Sequence, residues 1–157
     1  MKVTIYNDIL ASIREILQGS EFETIALDTN QLEESQGLTS LIVPALYISL
    51  GEIAWEVDTH YYFTDETEIT LTIASQSTGA SVFDLLETVT DKMVDKWLGK
   101  NGVSLCQNLT LKHTKAPETV DGLTTMEIVF TTTLRQERYP EPNKTKVKYV
   151  TETVTLN

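Results

Sequence analysis

The chain has 157 residues, 41% of them apolar and 22% charged, with 7 glycines and 4 prolines, so one globular domain spanning 1–157 is expected and wholesale disorder is excluded. The net charge of -11 is unevenly spread: 15 acidic residues and no lysine or arginine lie between Glu15 and Asp91, whereas 10 basic residues face 7 acidic ones from Lys92 onward. Such a surface disfavours nucleic-acid binding by phosphate neutralisation and suits complementary contacts between copies.

No apolar run approaches a membrane span, and no signal-peptide pattern opens the chain, so no membrane contact is expected. The single cysteine, Cys106, can make neither an internal disulfide nor a zinc site of the usual pattern, which suits synthesis in a reducing cytoplasm.

Val3 to Gln18 carries Ile5, Ile9, Ile13, Ile16 and Leu17 at helical spacing, and Gly19 and Ser20 stop it. Phe22 to Leu27 predicts a short strand, and the polar stretch Asp28 to Ser40 a loop. Leu41 to Leu50 is apolar and predicts a strand that starts at or after Pro44. Beyond Gly51, Ile53, Trp55 and Val57 alternate with Glu52, Glu56 and Asp58, which predicts that the strand continues with those apolar side chains inward. After a turn at Asp65-Glu66, Glu68 to Ser75 alternates cleanly, with Ile69, Leu71 and Ile73 on one face. Trp55 to Ser75 therefore reads as an antiparallel hairpin.

Ser81 fits a helix N-cap with Asp84 three residues on. The helix is expected to run to Leu98, with Val82, Leu85, Leu86, Val89, Met93, Val94 and Trp97 on one side and Gly99 closing it. Three strands follow: Ser104 to His113 with Leu105, Leu109 and Leu111 inward; Leu123 to Gln136 with Met126, Ile128 and Phe130 inward; and Val147 to Leu156. Arg135 to Thr145, with Pro140 and Pro142, reads as a protruding polar loop. The expected architecture is α+β, a mostly antiparallel sheet with two main helices packed on one face.

Catalytic signatures are scarce. His60 and His113 are the only histidines. Asp58-Thr59-His60 could place a carboxylate and an imidazole on one strand face, but no third ligand has recognisable spacing, and a surface pair is the simpler reading. Cys106 has no flanking glycine elbow. Glu33-Glu34 and Asp65-Glu66-Thr67-Glu68 do not resemble a calcium loop and read as solvated turns. There is no phosphate-cradling glycine loop and no Gly-x-Ser-x-Gly. Trp55, Tyr61, Tyr62 and Phe63 could stack on bases, but the lysine-free surroundings favour packing or subunit contact. No catalytic residue, metal or cofactor is expected.

The order of elements resembles small tail-completion proteins of long-tailed bacteriophages, the tail terminator or tail-to-head joining group. The resemblance rests on the opening helix, Val43 to Gly51 (VPALYISLG), the hairpin through Glu68 to Ser75, the helix ending Lys96-Trp97-Leu98-Gly99, and Asp121-Gly122-Leu123 through Leu134. It implies a structural virion protein, made in the host cytoplasm. It also implies self-association in a ring, six-membered in this family, that ends the tail tube, docks to the head connector and lets DNA pass through its lumen without specific binding. An acidic lumen would repel moving DNA weakly, and Asp58, Asp65, Glu66 and Glu68 are candidates for it. Ring closure needs two different patches meeting head to tail. Arg135, Arg138, Tyr139, Lys144 and Lys146 are the candidates on one side, and Glu52, Trp55 and Glu56 on the other. The alternatives are another neck or minor tail component, or a small-molecule-binding or enzymatic α+β domain.

Overall fold

The computed structural model describes residues 2–28, 42–76, 81–96, 98–100, 103–104 and 108–137. Most of the expected Asp28 to Ser40 loop, Trp97, Leu105, Cys106, the last strand at Val147 to Leu156 and most of the Arg135 to Thr145 loop lie outside these residues.

Helix α1 (Lys2–Ile16) forms as its periodicity predicts. Ile5, Ile9 and Ile13, four residues apart, are fully buried, with Leu17 in the turn that follows. Gly19 takes the left-handed φ of 82° that ends this turn, a conformation with no Cβ penalty for glycine. Strand β1 (Thr24–Leu27) runs parallel to β2 (Ala45–Leu50), which begins directly after Pro44.

The main sheet is completed by β5 (Thr67–Gln76), β8 (Thr110–Thr114), β9 (Glu118–Val120) and β10 (Leu123–Thr132). Its order is β1-β2-β5-β10-β8, with β9 also on β10, and every pairing except β1–β2 is antiparallel. Register places Ile73 between Leu46 and Met126, and Leu71 between Ile48 and Ile128. These side chains form one buried cluster with α1 and with α2 (Val82–Met93), which contributes Val82, Leu85, Val89 and Met93. Alternation sends the other residues of the strands to the opposite face, where Ala45, Tyr47 and Ala74 make a second small cluster. The fold is thus α+β as expected. Ser81 caps α2, its hydroxyl accepting from the Phe83 N–H at 3.2 Å.

Several expectations are corrected. First, β2 does not continue past Leu50. The ladder with β5 ends at Leu50–Ile69, and the chain leaves the sheet at Gly51. Ile53 and Trp55 still lean on the core, but Val57 is 55% exposed. Second, the segment from Trp55 to Ser75 is no single hairpin. Strands β3 (Glu56–Val57) and β4 (Tyr61–Phe63) pair with each other, and β5 pairs instead with β2 and β10. Strand β5 carries apolar residues that need a neighbour on each side to be fully buried, and a peripheral hairpin cannot supply this.

Third, α2 ends at Met93. Val94 is extended and Asp95 adopts φ 63°, because the Asp95 N–H donates to Leu109 O at 3.0 Å and the Leu109 N–H to Lys96 O at 2.9 Å. Gly99 is therefore no helix stop. It lies in the short hairpin of β6 (Gly99–Lys100) and β7 (Val103–Ser104), held to α1 by Ser12, whose hydroxyl donates to Gly99 O and accepts from Gly99 N–H. Fourth, Leu109 is buried as expected but Leu111 is 39% exposed, since β8 is the outermost strand on that side among the described residues. The strand expected over Leu123 to Gln136 is also broken at 133–134, where the chain crosses into a second sheet as β11 (Arg135–Glu137).

Candidate functional surface

The second sheet, ordered β11-β4-β3, holds Glu56 and Arg135 among the candidate residues, with Asp58 in its turn. It is tied to the main sheet by Thr64 and Leu134, both buried. The Thr64 N–H donates to Leu134 O at 3.0 Å, and the Leu134 N–H donates to Thr64 Oγ1 at 2.9 Å. Thr67 Oγ1, at the start of β5, donates to the same hydroxyl oxygen at 3.1 Å. One threonine thus fixes where the acidic hairpin stands relative to the core.

The turn between β3 and β4 is built by Asp58. Its Oδ1 accepts from the His60 N–H at 2.7 Å and the Tyr61 N–H at 2.6 Å, and its own N–H donates to Tyr61 O. These backbone donors, Tyr61's first, hold the carboxyl below its ordinary value, with smaller help from the charges of His60 and Arg135. Asp58 therefore serves as a turn-former, and the His60 ring lies edge-on to Tyr61, 6.3 Å between centroids, on an exposed corner. The Asp-x-His pair reads as surface structure. Among the described residues no three His, Cys, Asp or Glu side chains converge to hold a metal ion.

Arg135 lies in β11 opposite Phe63, with its guanidinium 3.7 Å from the centroid of Tyr61. The base of the expected basic arm thus contacts the acidic hairpin of its own chain. Arg138, Tyr139, Lys144 and Lys146 lie outside the described residues. Trp55 is half-buried and meets Tyr62 edge-on at 6.3 Å, while Glu52 and Glu56 are exposed. The acidic candidates fall on separate elements: Asp58 on the β3–β4 turn, Asp65 and Glu66 on the exposed β4–β5 turn, and Glu68 on β5 itself. Glu68 accepts from Lys112 across β10 at 3.4 Å, and Lys115 meets Glu127 at 3.6 Å.

A feature that the sequence reading passed over is the β9–β10 hairpin. Asp121 and Gly122 both take positive φ, 53° and 80°, the geometry of a two-residue hairpin turn, and the Asp-Gly pair is its sequence signal. Every residue from Thr110 to Gly122 is exposed. The described cavities are open to solvent. The largest, about 540 Å³, lies between the helices and is lined by Ser12, Glu15, Ile16, Asp91, Lys92 and Lys96. No helix among the described residues is long and apolar enough to cross a membrane.

No family model matches this chain, and no curated protein does. Among solved structures, the chain is similar to a component of the virion of a native gene transfer agent particle, 14% identical, over 83% of this chain and 91% of that one, with a TM-score of 0.48. It is also similar to a second solved chain at 12% identity, over 87% of this chain and 98% of the other, again with a TM-score of 0.48.

Proposed function

We propose that this chain is a structural protein of a phage-like virion, working by contact with copies of itself and with other virion proteins, with no bond made or broken. Its finer role, on the resemblance carried by its sequence, is that of the ring subunit that ends the tail tube and joins it to the head connector. The observation that carries the reading is the acidic hairpin region. Glu52, Glu56, Asp58, Asp65, Glu66 and Glu68 stand within 17 residues that contain no lysine or arginine. The structure spends a buried threonine and an Asp-centred turn on holding this strip in shape. A surface rich in carboxylates, offset by Arg135 over Tyr61 and by Lys112 at Glu68, suits contact with a complementary partner or passage of DNA without sticking.

The test is genetic and visual. Removal of the gene from the phage or prophage that carries it should leave tails of uncontrolled length and heads without tails in electron micrographs. Particles of normal tail length joined to heads would overturn the terminator role. Native mass spectrometry of the purified chain, alone and with tail-tube protein, should show a six-membered ring in at least one condition.

A further inference from the structure

We propose that the exposed edge formed by β8 and β9 is a contact between two copies of this chain, paired antiparallel about a two-fold axis. This goes beyond the ring reading, because a ring contact is head to tail whereas this one joins like to like.

Strands β8 and β9 lie end to end along one side of β10, so that Thr110 to Val120 makes the rim of the main sheet. Among the described residues no strand pairs with the outer side of that rim. The rim carries Leu111 and Val120, 39% and 52% exposed. The opposite rim is treated differently. On β1, Arg14 Nε and Nη2 reach over from α1 and donate to Ile25 O at 3.0 and 2.7 Å, which blunts that side against strand addition.

The charges along the β8–β9 rim choose the occupant. They run Lys112, Lys115, Glu118, Asp121, two cations followed by two carboxylates, three residues apart throughout. An antiparallel second copy centred between Ala116 and Pro117 sets Lys112 against the partner's Asp121 and Lys115 against the partner's Glu118. The two-fold repeats both, giving four opposite-charge pairs. A shift of one pairing in either direction loses this match, so the pattern specifies a register as well as a partner. In the same register His113 faces the partner's Val120 and Thr114 the partner's Thr119. Lys112 and Lys115 already touch Glu68 and Glu127, but an ammonium has three donors and these contacts are half exposed. Pro117 supplies no N–H, so the ladder is interrupted at the axis and the two halves of the rim carry the pairing.

The experiment uses the full chain in low salt. Sedimentation should show a concentration-dependent dimer, and amides of residues 111–119 should exchange more slowly at high than at low protein concentration. Glu118→Lys should raise the dimer dissociation constant by about tenfold, since it turns two attractive cross-strand pairs repulsive. Lys115→Glu with Glu118→Lys in one chain should restore it, because the pair is rebuilt across the axis with its signs exchanged. Amide protection independent of concentration, or a charge-swapped double variant as weak as the single one, would overturn the proposal. Because both sites lie on the exposed rim, the unaltered amide protection of β5 and β10 will report that the variants remain folded. Rings that form normally in Glu118→Lys would leave the proposed tail role standing on its own contact.

Discussion

The two sheets are stabilised by different physics. The main sheet is held from one side by apolar burial: Leu46, Ile48, Ile69, Leu71, Ile73, Ile128 and Phe130 are essentially inaccessible, and two helices press on them. The small sheet of β3, β4 and β11 buries little. Val57 and Glu56 are exposed, β4 is half-buried along its length, and the sheet is positioned by hydrogen bonds, an Asp-centred turn and one cation–π contact. Burial makes the first region a scaffold with a single register. The polar clasp makes the second a surface whose shape is set locally, as a contact surface requires.

Substitutions should expose this contrast, the largest in the main sheet. Leu71→Ala, between β2 and β10, should cost about 2–5 kcal/mol in urea denaturation, from lost burial and the cavity left behind. Val57→Ala, an equally apolar truncation in the small sheet, should change stability by less than about 0.5 kcal/mol. Comparable losses at the two sites would erase the distinction drawn between the sheets.

That distinction also explains what could be read from the sequence. Both helices and β5 were legible because burial on one face imposes a period, 3.6 for Ile5-Ile9-Ile13 and 2 for Ile69-Leu71-Ile73. The partners of β5 were not, since alternation tells which face is buried and says nothing about which strands lie alongside. Val57 misled because Ile53-Trp55-Val57 alternates like a sheet strand while the chain has already left the sheet at Gly51. The end of α2 was misplaced because its terminating bonds come from Leu109, a residue distant in sequence. Of the candidate surface, the acidic strip was legible as a run of carboxylates, but the clasp at Thr64 and Leu134, 70 residues apart, was not.

The clasp itself gives the next effect. Thr64→Val keeps the shape but removes the acceptor of the Leu134 N–H, leaving a buried donor unpaired at a cost of about 1–3 kcal/mol. Hydrogen exchange should localise the damage. Amides of Tyr61–Phe63 and Arg135–Glu137 should exchange faster, and those in β5 and β10 should keep their protection. Uniform acceleration across both sheets would mean that they open as one unit. A smaller change is expected from Arg135→Ala, about 0.5–1 kcal/mol, as the stacked guanidinium is lost from Tyr61. Arg135→Lys should recover part of it, because an ammonium keeps the charge over the ring and loses the planar stacking.

The smallest effect is set by pH. Asp58 accepts two backbone N–H groups as a carboxylate, so its folded form binds a proton less readily than its unfolded form, whose value is near 3.8. A lowered folded pKa adds stability that is fully present above the unfolded value and is lost as pH falls through the folded one. Asp58→Asn keeps an oxygen acceptor for both N–H groups but cannot titrate. Wild type should therefore exceed this variant in stability well above the unfolded value, and the gap should close as the pH falls below that value and through the lower folded one. Because the side chain is fully exposed, the difference should also shrink with added salt to the extent that His60 and Arg135 contribute, while the share owed to the two backbone donors should remain. Parallel stability curves for the two proteins across that range would show that the turn does not prefer the charged carboxylate, and the acidic strip would then lose one of its two fixed points.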